Sequence, residues 1–289
     1  MRDEVAQIEE VDWGTFLRRF RWKPGEHVLI YGPTGRGKTV LAGHLLEKRR
    51  FVVALDFKGD DPGLARWGWE PVTDWPIPNE RNRLAGRVVT RNGRRVRVVD
   101  PIRVRLSPPL ITDEEQGSAQ AVFERCLDDV FRIGRWTVYI DEMIIAVDAK
   151  EYDLEQRVRK LLTMARSRDA TMVNSTQALR GIPVRAVDQC THFFMLPPRD
   201  WYGIERLEEA TGLGRGLRAQ LAGMPRHDFL YACNDRFMIS RAPKPEDPPV
   251  SAANHTGAGS ANGDGHASAP RRAEEPPIRA SKVKKTMWG

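Results

Sequence analysis

The chain has 289 residues, a formal net charge of +7, 40% hydrophobic residues and 29% charged residues. This length and composition are those of a globular protein with a full core. No apolar run approaches the ~20 residues of a membrane-spanning helix, so we expect no direct membrane insertion. The three cysteines lie far apart and the N-terminus lacks an apolar signal segment. These features argue against a disulfide framework, a zinc site and secretion, and they favour a cytoplasmic protein.

The first part of the chain carries a phosphate-binding pattern. Residues 1–24 read as a short helical lead-in, and the apolar residues 27–31 predict a buried strand. Residues 32–39 then read GPTGRGKT, which fits the P-loop pattern G-x-x-x-x-G-K-[ST], and residues 40–46 have the apolar spacing of a helix. A P-loop requires this order of strand, glycine loop and helix, so the flanks disfavour a chance glycine-rich turn.

Each part of this loop has an expected role in binding a nucleoside triphosphate and Mg²⁺. The glycines let the backbone approach phosphate closely, and the N–H groups at the helix start hold the anion. Lys38 is expected to reach the β- and γ-phosphates, and the Thr39 hydroxyl is expected to bind Mg²⁺. The predicted nucleotide-binding residues are Gly32, Pro33, Thr34, Gly35, Arg36, Gly37, Lys38 and Thr39.

The segment after the P-loop unit predicts a second strand and an irregular stretch. Residues 51–55 are a strand that ends in Asp-Phe-Lys-Gly at 56–59. Residues 61–80 are rich in proline and tryptophan and predict a loop with little regular structure.

An arginine-rich hairpin is predicted at residues 86–99, because Asn92-Gly93 between β-prone runs is a strong turn signal. The window 81–105 contains nine arginines and one acid, a net charge of +8. Arginine forks pair with phosphate oxygens, so the hairpin is a candidate nucleic-acid contact. The alternatives are a solvated face, or arginines that pair with acids of a neighbouring subunit. The predicted contacts are Arg91, Arg94, Arg95 and Arg97, with Arg95 and Arg97 on one face and Val96 and Val98 on the other.

Two acids follow an apolar strand at residues 137–140. Asp141 is expected to hold Mg²⁺ as a Walker B aspartate does, and Glu142 to activate the attacking water as a general base. The adjacent acids resemble P-loop ATPases that have an extra central strand and a catalytic glutamate. The absence of an Asn-Lys-x-Asp guanine motif also favours ATP. The alternative is that these acids only cap the next helix.

The remaining elements complete a predicted ATPase domain over residues 25–241. A capping pair at Asp153 and Gln156 predicts a helix, and residues 170–177 predict a strand beside the P-loop strand. Gln177 at its tip is the candidate γ-phosphate sensor, although a glutamine at a strand end is often only solvated. A strand at 191–196, two helices and a closing hairpin follow. The tail 242–289 is poor in large apolar residues, ends in a basic segment and is predicted to be disordered.

Four features together resemble the FtsK–HerA superfamily of DNA-pumping ATPases. They are the GPTGRGKT loop, the Asp-Phe-Lys-Gly strand end, the VYIDE strand, and the run from Ala165-Arg166-Ser167-Arg168 to Ser175-Thr176-Gln177. The resemblance implies an α/β, RecA-like P-loop NTPase fold with a central, mostly parallel sheet flanked by helices. It also implies ATP hydrolysis with Mg²⁺ in a hexameric or pentameric ring around DNA.

The same resemblance suggests a trans-acting arginine that reaches the neighbouring subunit's γ-phosphate. By position Arg166 or Arg168 matches that arginine of the phage packaging branch, with Arg180 as a fallback. Such a residue neutralises charge on the transferred phosphoryl group. The alternative is that these arginines only cap a helix C-terminus.

In size the chain is similar to phage DNA-packaging ATPases, since it shows no membrane, winged-helix or nuclease domain. This predicts a motor that packages a double-stranded viral genome, in the host cytoplasm or associated with the virion, with a capsid or portal-vertex protein as a partner. A plasmid, conjugative or chromosomal DNA translocase remains open. So does a nucleotide-gated nucleic-acid-binding or virion-assembly protein without translocation, including an ATP switch whose hairpin binds RNA.

Overall fold

The computed structural model describes residues 7–92, 94–109, 113–148 and 150–244. Its strands are β1 (Ile8–Glu10), β2 (His27–Tyr31), β3 (Phe51–Leu55), β4 (Glu70–Val72), β5 (Arg87–Arg91), β6 (Arg94–Val98), β7 (Ile102–Leu106), β8 (Thr137–Ile140), β9 (Thr171–Thr176), β10 (Cys190–Met195), β11 (Asp228–Cys233) and β12 (Arg236–Arg241). Its helices are α1 (Trp13–Arg19), α2 (Lys38–Leu46), α3 (Pro62–Ala65), α4 (Glu80–Ala85), α5 (Asp113–Ile133), α6 (Met143–Val147), α7 (Glu155–Met164), α8 (Val184–Asp188), α9 (Ile204–Thr211) and α10 (Gly216–Gly223). A 3₁₀ turn, Ala165–Arg168, follows α7.

Ten strands form one sheet in the order β1-β12-β11-β10-β2-β9-β8-β3-β7-β4. Every neighbouring pair is parallel except β10 with β11 and β11 with β12. The P-loop strand β2 and the acid-tipped strand β8 are not neighbours, because β9 lies between them. This is the extra central strand that the two adjacent acids predicted.

Two apolar cores cover the two faces of this sheet, and the side chains of β2 alternate between them. Val28 and Ile30 join the core that includes residues of α1 and α2. Leu29 and Tyr31 join the core that includes residues of α5, α7, α9 and α10. A parallel sheet with both faces covered by helices needs such continuous apolar strands. The predicted α/β fold, with a mostly parallel central sheet flanked by helices, is confirmed.

The lead-in at residues 1–24 contributes directly to this architecture. Strand β1 pairs with β12 in parallel, at one edge of the sheet. Phe16 and Phe20 are buried, and the Phe16 ring packs edge-on against the ring of Phe229, with centroids 5.1 Å apart. Phe16 and Phe20 therefore belong to the core that packs on this face of the sheet. At the other end of the chain, the predicted disordered tail lies outside the described residues from position 245 onward.

Residues 61–80 contain more regular structure than the sequence predicts. They hold α3 and β4, and β4 pairs in parallel with β7 at the edge of the sheet. Trp75 is fully buried and packs against Trp136, with ring centroids 5.3 Å apart. The prediction of a loop therefore missed one short helix and an edge strand, whose Leu64 and Val72 side chains are buried against the rest of the fold.

The cap predicted for α7 is also wrong. The helix begins at Glu155 with Leu154 as its N-cap, and no side chain caps it. Asp153 instead adopts a left-handed conformation, with φ of 48°. The apolar stripe of this helix is nevertheless buried as its spacing predicts, with Val158, Leu161 and Leu162 at most 3% exposed.

The buried histidine at the start of β2, His27, is expected to make the stability of the fold depend on pH. It is 3% exposed, and its Nδ1 accepts a hydrogen bond from the Met172 N–H at 3.0 Å. Burial lowers the pKa of His27 from 6.5 to about 4, and the charge of Arg166 acts in the same direction. Between pH 6.5 and about 4, His27 therefore binds a proton in the unfolded chain but not in the folded one. Stability that is present above pH 6.5 is therefore lost as the pH falls towards 4.

We expect this residue to reduce the free energy of unfolding by about 2 kcal/mol between pH 7.5 and 5. Urea unfolding of the wild type and of His27→Gln at both pH values measures it. Glutamine keeps an acceptor for the Met172 N–H but does not titrate. His192, whose pKa burial also lowers, is present in both proteins, so the difference between them isolates His27. Equal losses in the two proteins would remove His27 from this role.

Candidate nucleotide site

The P-loop connects β2 to α2 at the carboxyl edge of the sheet, as its sequence predicts. Gly35 and Gly37 have φ of 76° and 95°, a region that favours glycine. Gly37 is the N-cap of α2, and no side-chain hydrogen bond caps the helix there. The free N–H groups at the start of α2 are therefore directed to where an anion would bind.

A hydroxyl and a carboxylate meet at the start of α2. Thr39 Oγ1 donates a hydrogen bond to Asp141 Oδ1 at 3.1 Å. The phenol of Tyr139, fully buried in β8, donates to the same carboxylate oxygen. Burial, together with the charge of Asp141, raises the pKa of Tyr139 and keeps the phenol protonated as a donor. Asp141 is thus held in one orientation beside Thr39.

These two oxygen ligands fit Mg²⁺, which is commonly bound by one or two protein oxygens together with substrate phosphates and water. Within the described ranges, no group of three or more His, Cys, Asp or Glu side chains is arranged to hold a metal alone. The site is therefore one that a metal–nucleotide complex would complete.

Glu142 and Gln177 form the other half of the site. Gln177 Nε2 donates to Glu142 Oε2 at 2.8 Å, and Thr34 Oγ1 donates to Gln177 Oε1 at 2.5 Å. The Gln177 amide at the tip of β9 thus links the P-loop to the candidate general base. The hydroxyl of Thr176 lies 3.4 Å from Glu142 Oε1. Because β9 lies between β2 and β8, these side chains meet at a single edge of the sheet.

Lys38 is the cation of this group and is only 8% exposed. Burial lowers the pKa of its ammonium, and the charges of Glu142 and Asp141 oppose that shift. The lysine therefore lies within electrostatic range of both acids. Lys38, Thr39, Asp141, Glu142 and Gln177 form one site, as their separate sequence motifs predict.

The candidate trans-acting arginines lie elsewhere. Arg166 and Arg168 belong to the 3₁₀ turn before β9, at the amino end of the parallel strands, whereas the P-loop lies at the carboxyl end. Both are exposed. Arg168 Nη1 donates to the Arg132 carbonyl at 3.2 Å, and its guanidinium lies 5.0 Å from the centroid of the Phe131 ring. Neither arginine reaches its own subunit's P-loop, so any role in hydrolysis belongs to a neighbouring subunit's site and stays a prediction.

The arginine hairpin forms a separate two-stranded sheet of β5 and β6. Val88 pairs with Arg97 and Thr90 with Arg95, so Arg95 and Arg97 share a face, and Val96 lies on the other. Arg94 lies on the valine face, because residues alternate along a strand. The side chain of Arg91 lies outside the described part of the structure. Among the described residues, none of Arg94, Arg95 and Arg97 forms an ion pair, and all three are exposed.

Two residues at the P-loop were not predicted from the sequence. Arg226 Nη2 donates to the Gly35 carbonyl at 3.2 Å, and Arg36 Nη1 lies 3.4 Å from the Arg226 carbonyl. A Cβ placed on Gly37 would lie 3.9 Å from Nδ1 of His227. Both residues lie in the turn before β11, about 190 positions from the loop that they contact. No local sequence pattern signals such a contact.

In the described part of the chain, none of the helices has the length and apolar character that crossing a membrane requires.

Comparison with known proteins finds similarity in structure but not in sequence. No family model and no curated protein sequence matches the chain. The genome packaging NTPase B204 from Sulfolobus turreted icosahedral virus 2, in complex with sulfate, matches with a TM-score of 0.51 and 12% identity, over 77% of this chain and 99% of that one. Its complex with AMP gives 0.52 and 12%, over 77% and 100%.

VirB4 of Thermoanaerobacter pseudethanolicus gives a TM-score of 0.52 at 10% identity, over 75% of this chain and 89% of that one. At such identities the likeness concerns the fold. The chain therefore has the fold of the FtsK–HerA-type P-loop ATPases, the group that its sequence motifs resemble.

Proposed function

We propose that this protein is an ATPase that assembles into a ring and translocates double-stranded DNA, in the role of a viral genome-packaging motor. The observation that carries the ATPase part is the pair of contacts at the sheet edge. Thr39 lies 3.1 Å from Asp141, and Gln177 lies 2.8 Å from Glu142. These contacts support a metal-ligating role for Thr39 and Asp141 and a general-base role for Glu142 beside the P-loop.

The proposed chemistry follows from these positions. Lys38 and the N–H groups at the start of α2 bind the β- and γ-phosphates, and Thr39 and Asp141 hold Mg²⁺, which neutralises phosphate charge when bound. Glu142 accepts the proton of the attacking water. Gln177 holds Glu142 in place, and its link to Thr34 couples that carboxylate to the P-loop. The γ-phosphate would enter between them, so Gln177 is suited to sense it.

A ring is proposed because, among the described residues, no arginine contacts Asp141, Glu142 or Gln177. The arginines that contact the P-loop in that part of the chain are Arg226, which donates to the Gly35 carbonyl, and Arg36, which lies 3.4 Å from the Arg226 carbonyl. The exposed Arg166 or Arg168 would then act on the next subunit's nucleotide, in a hexamer or pentamer. Mixing Arg166→Ala or Arg168→Ala subunits with the wild type tests this. Activity that falls only in proportion to the mutant fraction contradicts a trans role.

DNA as the partner is supported by the hairpin of β5 and β6. Its Arg94, Arg95 and Arg97 are exposed and form no ion pair among the described residues, which suits a phosphate backbone whose counterions they would release. The packaging role is supported by the fold shared with B204, over nearly the full length of that packaging NTPase. On this proposal a capsid or portal-vertex protein is the further partner. The fold shared with VirB4 supports a translocase outside a virion as the second candidate.

The salt dependence of DNA binding is expected to depend on Arg94, Arg95 and Arg97. The affinity for DNA falls as salt rises. We expect the joint replacement of these three arginines by alanine to make the plot of log affinity against log salt less steep, by about 0.9 for each phosphate that is no longer neutralised. Titration of labelled duplex DNA at four salt concentrations measures it. The matched control replaces Arg66, Arg159 and Arg215, which are exposed and form no ion pair among the described residues.

The control removes the same net charge, so equal slopes in the two triple variants would return the hairpin to the role of a solvated face.

ATP turnover of the wild type with and without duplex DNA, together with the particle mass, separates the candidate functions. A motor is expected to be an oligomer that DNA stimulates. A monomer whose turnover ignores DNA contradicts translocation.

A further inference from the structure

The loop after β3, residues 56–61, is built around a buried carboxylate. Asp56 is 1% exposed. Its Oδ1 accepts the N–H groups of Lys58 and Gly59, each at 3.1 Å, and its Oδ2 accepts the Asp61 N–H at 3.2 Å. Ser107 Oγ lies 3.3 Å from the same Oδ2. Four donors on one carboxylate hold the backbone of this loop in one conformation, so the side chains that it carries are placed reproducibly.

Lys58 is the cation that this loop presents. Its Nζ lies 2.9 Å from Asp61 Oδ2, and its side chain is 54% exposed whereas that of Asp61 is 13% exposed. Asp61 is itself anchored, because its Oδ1 accepts the N–H groups of Gly63 at 2.8 Å and Leu64 at 3.3 Å. The carboxylate is therefore fixed, and the ammonium is tethered to it but remains open to solvent.

This ion pair borders the nucleotide site. A single recess is lined by Lys58, Asp61, Asp141 and Glu142. A Cβ placed on Gly63, in the helix that Asp61 caps, would lie 3.2 Å from Thr39 Cγ2. Burial lowers the pKa of Lys58, but the hydrogen bond and charge of Asp61 and the charges of Asp141 and Glu142 raise it by more. The pKa of this ammonium is therefore above its ordinary value. The Lys58 ammonium thus lies within electrostatic range of Asp141 and Glu142, the same two acids that act on Lys38.

We propose that Lys58 is a second cis-acting cation that leaves Asp61 to bind the γ-phosphate of ATP. The lysine end of this ion pair is open to solvent, where an ion pair is weak, so exchanging the carboxylate for a phosphate oxygen costs little. The γ-phosphate carries the terminal charge of ATP, and Glu142, which is expected to lie beside it, lines the same recess as Lys58. ADP lacks that group, and with ADP bound the lysine stays on Asp61. Lys58 thereby distinguishes the triphosphate from the diphosphate.

The inference rests on the proposed ATPase function, and its test measures binding as well as turnover. The full chain and its Lys58→Met variant are titrated calorimetrically with Mg²⁺ and either AMP-PNP or ADP. Methionine keeps the unbranched stem and removes the charge. We expect AMP-PNP to bind the variant at least about 10-fold more weakly, because a charge-assisted hydrogen bond is lost. The affinity for ADP is expected to change by less than about twofold, because Lys58 makes no contact with it.

Two further variants make the outcome decisive. Lys58→Arg keeps the positive charge and is expected to retain most of the preference for AMP-PNP. Lys23→Met removes a lysine that precedes β2, at the far end of the sheet from the P-loop, and is expected to change neither affinity. Equal weakening of AMP-PNP and ADP by Lys58→Met, or weakening of neither, overturns the inference while the ATPase proposal stands. A wild-type chain that binds neither nucleotide overturns both.

Discussion

Replacing Glu142 by glutamine is expected to lower ATP turnover by about 10²–10⁴-fold while ATP still binds, since the variant loses only the proton acceptor. Glutamine has nearly the same shape, and its amide can still hydrogen-bond to Gln177, which donates to Glu142 at 2.8 Å in the wild type. Lys38, Thr39 and Asp141 are untouched. Binding and hydrolysis should therefore separate, with kcat falling and the Kd for ATP changing little.

The measurement pairs steady-state turnover with calorimetric titration of ATP in the variant. Glu155→Gln is the matched control, because that exposed residue begins α7 away from the P-loop. It should leave both quantities unchanged. Turnover of Glu142→Gln at the wild-type rate would remove Glu142 from the general-base role and leave it with only its structural contact to Gln177.

Replacing Lys38 by alanine is expected to weaken nucleotide binding by about 10²–10⁴-fold and to abolish turnover. The lysine is 8% exposed, lies at the start of α2 and faces Glu142 and Asp141. Its removal deletes the cation that contacts two phosphates and leaves two neighbouring carboxylates to repel them. Both effects act against the same ligand, so the loss should be larger than for any other single residue of the loop.

Titration with ATP and ADP measures this loss, and thermal unfolding confirms that the variant is folded. Arg36→Ala is the control within the same loop. Its guanidinium makes a solvent-exposed contact with the Arg226 carbonyl at 3.4 Å, so its loss is expected to weaken ATP binding by less than about tenfold. A Lys38→Ala protein that binds ATP as tightly as Arg36→Ala would contradict a phosphate-binding role for Lys38.

The elements that the sequence predicts well are those whose signal is local. A glycine loop between an apolar strand and a helix needs its residues in one short segment, and 32–39 supply them all. The strand before Asp141 and Glu142 and the hairpin around Asn92 are local in the same way. The phosphate cradle, the two acids, the hairpin and the class of fold could therefore be predicted from the residues and from the superfamily resemblance.

The errors arise where distant packing outweighs local preference. Residues 61–80 contain an edge strand because β4 pairs with β7, which follows the arginine hairpin in the chain, and because Val72 is buried there. Helix α7 begins at Glu155, and its N-cap is Leu154 rather than Asp153. Asp153 adopts a left-handed conformation instead. Neither outcome can be read from a window of neighbouring residues, because the burial that decides it depends on the whole fold.

By itself the sequence determined that this chain has a glycine loop of the P-loop pattern, a strand tipped by two acids and an arginine-rich hairpin. Only the tertiary structure decided which side chains touch. The order of strands brings Gln177 to Glu142, 35 positions away, and the turn before β11 brings Arg226 to Gly35, 191 positions away. It also turns Lys58 towards the same acids. The reason is that a motif depends on local backbone geometry, whereas a site depends on which strand ends the packed core sets side by side.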